Sequence, residues 1–216
     1  MNKTILFDLD GTLIDSTSAI LESFDASFKI HNKPTPSHEK IKSLIGHTLD
    51  DMFLALGVMP ELVNSYFLAY KEHYHGIYLA QTTLLPYAKE AIVEASKFAK
   101  LGIVTTKGSA MLENLLKNLG IFSYFKAIVG RQDVIKPKPD AEPINTALSR
   151  LNMLDKKHLA FMIGDTPIDT MAAKNAQITP LSLLCGYSNY EILSQTNDKI
   201  FTNPLEAVIF AKNFKE

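Results

Sequence analysis

The sequence predicts an α/β protein, a parallel sheet covered by helices on both faces, with an all-helical segment inserted after the first strand. Three observations predict it. Short apolar runs of strand length alternate with helical patterns from about residue 84 onward. Residues 16–82 show helical spacing and no convincing strand. The 216 residues are 46 % hydrophobic and 21 % charged, enough for one medium domain or a core carrying a smaller insert.

The elements follow in order. Ile5-Leu6-Phe7 stops at charged residues and is too short for a helix, so it reads as a buried strand. Asp8-Leu9-Asp10-Gly11-Thr12 is a turn. Ser16 or Thr17 caps a helix with Ile20, Leu21, Phe24 and Phe28 on one face. Asn32–Pro36 breaks it, and Ser37 caps the next, with Glu39 in its first turn. Short helical patterns lie around Ile41–Ile45 and Leu49–Leu56. Pro60 opens a longer one with Val63, Phe67, Tyr70 and Tyr74 packing inward.

Beyond residue 84, a helix runs from Pro86 to about Lys100 and a strand over Gly102–Thr105. A helix over Ala110–Leu119 ends near Gly120. A strand at Ala127–Val129 precedes a helix over Glu142–Leu151. Leu159–Ile163 is a strand, Asp169–Ala176 a helix and Pro180–Leu184 a strand. Asn203 caps a last helix. The whole reads as a Rossmann-like core, residues 1–15 and 83–216, with a helical insert over residues 16–82.

Composition excludes several functions. The 22 basic and 23 acidic residues leave a net charge of −1, so nothing advertises nucleic acid. The one cysteine, Cys185, rules out an internal disulfide and a cysteine-based zinc site. It reads as a packing residue. No apolar stretch reaches the roughly 18 residues that span a bilayer, and the N-terminal run is too short for a signal peptide. Cytoplasm is the expected compartment. His73 and His75, two apart on a helix, do not share a face for a metal.

In open parallel sheets, ligands bind beyond the carboxyl ends of the strands. Asp8 with Asp10, Thr105 with Thr106, Lys136, and Asp165 with Asp169 all fall at such ends. Four carboxylates in one crevice repel each other, and one lysine leaves the cluster short of neutral. A divalent cation resolves the conflict, and an all-oxygen donor set favours Mg²⁺. Mg²⁺ in turn favours a phosphate substrate.

Asp8-Leu9-Asp10-Gly11-Thr12 resembles the first motif of the haloacid dehalogenase superfamily, in the form its phosphatases carry. Ile103-Val104-Thr105 is similar to the second, Lys136-Pro137-Lys138-Pro139-Asp140 to the third, and Gly164-Asp165-Thr166-Pro167-Ile168-Asp169 to the fourth. The motifs stand in the family's order over Lys3 to about Tyr187. The helical insert after the first motif, opened by Asp15-Ser16, resembles the cap of the phosphoglycolate phosphatase branch. Thr106, where many relatives carry Asn, and the missing glycine in Asn175–Ile178 depart from the pattern.

The resemblance implies roles. Asp8 attacks phosphorus to form an acyl phosphate, and Asp10 serves as general acid and then base. Thr105 hydrogen-bonds the phosphoryl group, and Lys136 neutralises it and restrains Asp8. Lys138 then reads as a solvated charge. Asp165 binds Mg²⁺ together with Asp8 and the Asp10 carbonyl, and Asp169 acts one shell out, through metal-bound water or by orienting the lysine. Gly11, Thr106, Lys107 and, from the cap, His47 and Thr48 are the candidates for binding substrate. For His47 the plain alternative is a surface histidine. Cap closure, hinged near Asp15–Thr17 and Gln81–Thr83, excludes water.

The expected activity is magnesium-dependent hydrolysis of a small phosphorylated metabolite, with 2-phosphoglycolate the first substrate to test. A pyrophosphatase or a β-phosphoglucomutase-like phosphoryl transferase is the alternative. From another class comes a non-catalytic phosphate-ligand binding protein. The expected assembly is a monomer or homodimer, without nucleic acid or membrane.

Overall fold

A computed structural model describes residues 3–215. The chain forms two compact units. One takes in the chain through Asp15 and from Leu84 onward, and the other is Ser16–Thr83. The first unit begins with β1 (Lys3–Phe7), whose residues from Thr4 to Phe7 are fully buried. A tight turn then leads to β2 (Ile14–Asp15).

The second unit holds α1 (Thr17–Ile30), α2 (His38–Lys42), α3 (Leu49–Ala55) and α4 (Val63–Ile77). Ser37 caps α2 by accepting the Lys40 N–H at 3.3 Å. Helix α4 buries Val63, Tyr66, Tyr70 and Tyr74, the i, i+3, i+7, i+11 row of one face. The expected Phe67 lies one residue round the helix from that row and is only half-buried, so Tyr66 takes its place. Phe24 and Phe28 of α1 meet Tyr70 and Tyr66 edge-on, each at 5.1 Å between ring centres.

The chain re-enters the first unit through β3 (Thr83–Leu84), which pairs with β2. There follow α5 (Ala88–Ser96), β4 (Ala99–Val104), α6 (Ser109–Asn118), β5 (Ala127–Val129) and α7 (Glu142–Arg150). Then come β6 (Ala160–Gly164), α8 (Pro167–Asn175), β7 (Thr179–Leu183), α9 (Tyr190–Ser194), β8 (Ile200–Phe201) and α10 (Pro204–Asn213). Helix α5 stops four residues before the expected Lys100, and β4 starts three before the expected Gly102. Ala99 and Lys100 have helix-forming side chains, but they pair in register with Lys3 and Thr4 of β1. The ladder overrides local propensity here.

The six-stranded sheet is parallel, in the order β5-β4-β1-β6-β7-β8. From β1 the chain builds outward through β4 and β5, then crosses to β6 on the other side. Strand β1 therefore sits at the point where the order reverses, and its carboxyl end opens onto the crevice where such sheets bind ligands. Among the described residues no helix is long and apolar enough to cross a membrane.

Candidate active site

Asp8 is the first residue beyond β1, and its N–H still donates to Ile163 O of β6 at 2.9 Å. That bond holds the side chain at the sheet's edge, where it is 3 % exposed. Thr105, the first residue beyond β4, is anchored in the same way by its N–H to Val129 O at 3.0 Å. Asp165 follows β6 directly and is fully buried. Asp169 stands in the first turn of α8, where its Oδ2 accepts from Thr166 N at 3.1 Å and Thr166 Oγ1 at 2.7 Å. Both bonds run to Asp169 from Thr166, the residue that precedes the helix.

The lysine of the cluster is Lys138, which corrects the expectation of Lys136. Lys138 Nζ lies 3.0 Å from Asp8 Oδ1 and 2.6 Å from Asp169 Oδ1, and it donates to Val104 O at 3.0 Å. Its side chain is 1 % exposed. Lys136 is exposed, and its backbone N–H, like that of Ile135, donates to the Glu142 carboxylate. Glu142 thereby fixes the loop two residues short of the crevice, and only the later lysine reaches in. The segment contains two Lys-Pro pairs, and the resemblance to the family's third motif selects the first.

Asp8, Asp165 and Asp169 each present a carboxylate oxygen within 4.8 Å of the others. Asp165 is aimed by two bonds, from Thr12 Oγ1 to Oδ1 and from Tyr187 N to Oδ2, both 2.8 Å. The backbone closes around it. A Cβ at Gly11 would lie 2.3 Å from Asp165 Oδ2, and one at Gly186 2.1 Å. Gly11 also has φ +82°, a conformation that suits glycine. Gly11 thus serves to admit Asp165. Sequence reasoning does not single out Thr12, Gly186 or Tyr187. Thr12 stands inside the first motif, whereas no pattern marks the two others.

Three carboxylates against one ammonium leave the cluster short of positive charge. Burial pushes the Asp8 carboxyl up to about 7, against the pull of Lys138, and Asp169 and Asp10 add to the push. Burial, then Asp169 and Asp8, hold Asp165 well above the ordinary carboxylate range. For Lys138 burial acts against the charged form, but Asp169 and Asp8 outweigh it and raise its pKa. A buried all-oxygen cluster whose charge is uncompensated, with glycines clearing space around one donor, fits a hard divalent cation such as Mg²⁺.

Asp10 stands apart from that group. Its two oxygens lie 3.0 and 3.1 Å from Lys107 Nζ. Thr105 Oγ1 accepts from Lys107 N at 3.1 Å, and Thr105 itself is buried. Thr106 is half-buried in the same loop. In the second unit, Thr48 caps α3, accepting from Asp51 N at 3.3 Å and donating to Asp51 Oδ2 at 2.6 Å. His47 beside it is exposed.

A lysine-paired aspartate at the carboxyl end of the switch-point strand, among buried carboxylates, makes this crevice the candidate catalytic centre of an α/β protein. The sequence matches the family described as haloacid dehalogenase-like hydrolase over residues 5–182. The chain belongs to that family. It is 34 % identical over 181 residues to the pyrophosphatase PpaX of Halalkalibacterium halodurans, covering 82 % of this chain and 80 % of that one. It is 28 % identical over 209 residues to a phosphoglycolate phosphatase of Photorhabdus laumondii, covering 93 % and 88 %. A solved haloacid dehalogenase-like hydrolase from Streptococcus pneumoniae superposes with a TM-score of 0.86 at 28 % identity, covering 96 % of this chain and 97 % of that one.

Proposed function

We propose that this hydrolase is a magnesium-dependent phosphatase that acts in the cytoplasm on a small phosphorylated metabolite through an aspartyl phosphate on Asp8. The observation that supports it most is the pairing of Asp8 with the buried Lys138 at the switch-point strand, beside Asp165 and Asp169.

Asp8 and Asp165, with the Asp10 carbonyl, would hold the cation and Asp169 would act one shell out, through its bond to Lys138; when bound, the cation offsets the carboxylates' charge and favours a phosphate dianion beside them. Lys138 keeps one Asp8 oxygen fixed and, through Asp169, is itself fixed. The Asp8 carboxylate attacks phosphorus, and the bond from phosphorus to the leaving oxygen breaks. Asp10 gives that oxygen a proton. Water then attacks phosphorus and passes a proton to the Asp10 carboxylate. The bond to Asp8 breaks, releasing phosphate and restoring the nucleophile. Thr105, at the end of β4, hydrogen-bonds the phosphoryl oxygens. Positioning and fixed charge supply most of the acceleration in such transfers.

Pyrophosphate and 2-phosphoglycolate head the substrate candidates, because the relatives named above are a pyrophosphatase and a phosphoglycolate phosphatase. The test is phosphate release from these two, sugar phosphates and nucleotides, with Mg²⁺ and with chelator. Release that needs Mg²⁺ and vanishes in Asp8→Asn is the expected result. Release that survives in Asp8→Asn removes Asp8 as nucleophile. Product isomerisation without release would identify a mutase instead.

A further inference from the structure

We infer that Lys107 selects substrates whose leaving group carries its own negative charge. The inference rests on the phosphatase reading above and on Asp10 as its acid.

Asp8 and Asp10 leave the same strand two residues apart, and each meets one ammonium group from a different loop. Lys138, before α7, reaches Asp8. Lys107, between β4 and α6, straddles both oxygens of Asp10 with a side chain only 7 % exposed. The Lys107 mount is rigid. Its N–H donates to Thr105 Oγ1 at 3.1 Å, and its carbonyl accepts from Arg131 N at 2.9 Å. Two residues on, Ser109 N donates to Gln132 Oε1 at 2.8 Å and Ser109 Oγ to Asp133 Oδ2 at 2.7 Å. Gly130 lets the loop lie this close, since a Cβ there would stand 2.9 Å from Lys107 O. The loop after β4 is therefore pinned to the exit of β5, and the ammonium is placed by the fold.

That placement has a reach. A general acid sits within about 2.6–3.2 Å of the oxygen it protonates, so Lys107 Nζ lies within roughly 6 Å of the leaving oxygen. In pyrophosphate the atom beyond that oxygen is a phosphorus bearing anionic oxygens. In 2-phosphoglycolate a carboxylate lies two bonds away. Both bring an anion into ion-pair range of Lys107, whereas a neutral alcohol brings none. An anion so placed can accept a charge-assisted hydrogen bond from the Lys107 ammonium.

The test compares kcat/KM for 2-phosphoglycolate with that for its neutral counterpart, the monophosphate of ethylene glycol, in wild type, Lys107→Met and Lys107→Arg. The ratio is taken within each protein, so a loss of folded enzyme cancels. Lys107→Met should lower the charged-to-neutral ratio by at least about tenfold, and Lys107→Arg should keep most of it. Equal losses on both substrates would reduce Lys107 to a residue that positions Asp10 and overturn the inference. So would an unchanged ratio. Wild type that hydrolyses neither ester, nor pyrophosphate, would instead defeat the phosphatase reading on which it rests.

Discussion

Replacing Lys138 with Met tests the site most directly, because Lys136→Met is a built-in control two residues away. Lys138 is buried, and its ammonium serves Asp8 at 3.0 Å and Asp169 at 2.6 Å. Methionine fills similar volume but leaves both carboxylates without their cation. Removing one partner of a buried ion pair costs about 3–5 kcal/mol. For a chain of this size, each kcal/mol moves the melting midpoint by about 2–4 °C, so the drop should be roughly 6–20 °C. Protonation softens the loss. Asp8 already titrates at about 7 with Lys138 pulling it down, so without the lysine it takes a proton more readily. The destabilisation should therefore be smaller at pH 5.5 than at pH 8. Lys136 is exposed, and its tie to Glu142 runs through the backbone, so Lys136→Met should shift stability by no more than about 0.5 kcal/mol. Thermal unfolding in chelator at the two pH values reads all of this. Phosphate release with Mg²⁺ should fall about 100- to 1000-fold in Lys138→Met and little in Lys136→Met. Equal midpoints for the two variants, or a larger loss from Lys136→Met, would refute the assignment.

Other expectations follow from the same geometry. In chelator, stability should fall as pH rises from about 4 to about 7, because the folded state holds a proton on Asp8 that the unfolded chain has lost. Mg²⁺ should therefore raise the melting midpoint more at pH 7.5 than at pH 5, and an equal rise at both would contradict the carboxylate site. Gly186→Ala should abolish the Mg²⁺-induced midpoint shift, since its Cβ would lie 2.1 Å from Asp165 Oδ2; a full shift would show that the Asp165 cradle is not needed. Thr48→Ala should cost about 1 kcal/mol in urea unfolding through the lost cap on α3, and no change would mean that the hydroxyl does not cap the helix in solution.

The sheet is legible where chemistry and periodicity agree. Ile5-Leu6-Phe7 is a run apolar on both faces, and β1 is covered on both faces, so the pattern names the strand. Asp8, Thr105 and Asp165 are legible for a related reason, since a polar residue ending such a run marks a strand's carboxyl edge. Strand β8 escapes a sequence reading, because two residues, Ile200 and Phe201, carry no periodicity. The start of β4 escapes it too, because its first residues are defined by partners 96 positions away in sequence, Lys3 and Thr4.

Lys138 shows why a correct motif can still yield the wrong atom. A motif records order along the chain, whereas the choice between two lysines two residues apart depends on which side chain turns inward. Glu142 decides that by accepting the N–H groups of Ile135 and Lys136, which holds the earlier lysine at the surface. The same logic explains how Asp8 and Asp10 come to differ. Adjacent in pattern, they would meet the same partners if only their own strand mattered. Because β1 lies between β4 and β6, Asp8 meets Lys138 and the carboxylates that follow β6, while Asp10 meets the loop that follows β4. The reversal of strand order at β1 thus supplies two environments to one dipeptide spacing. That separation suits the nucleophile and the proton donor that we propose for Asp8 and Asp10.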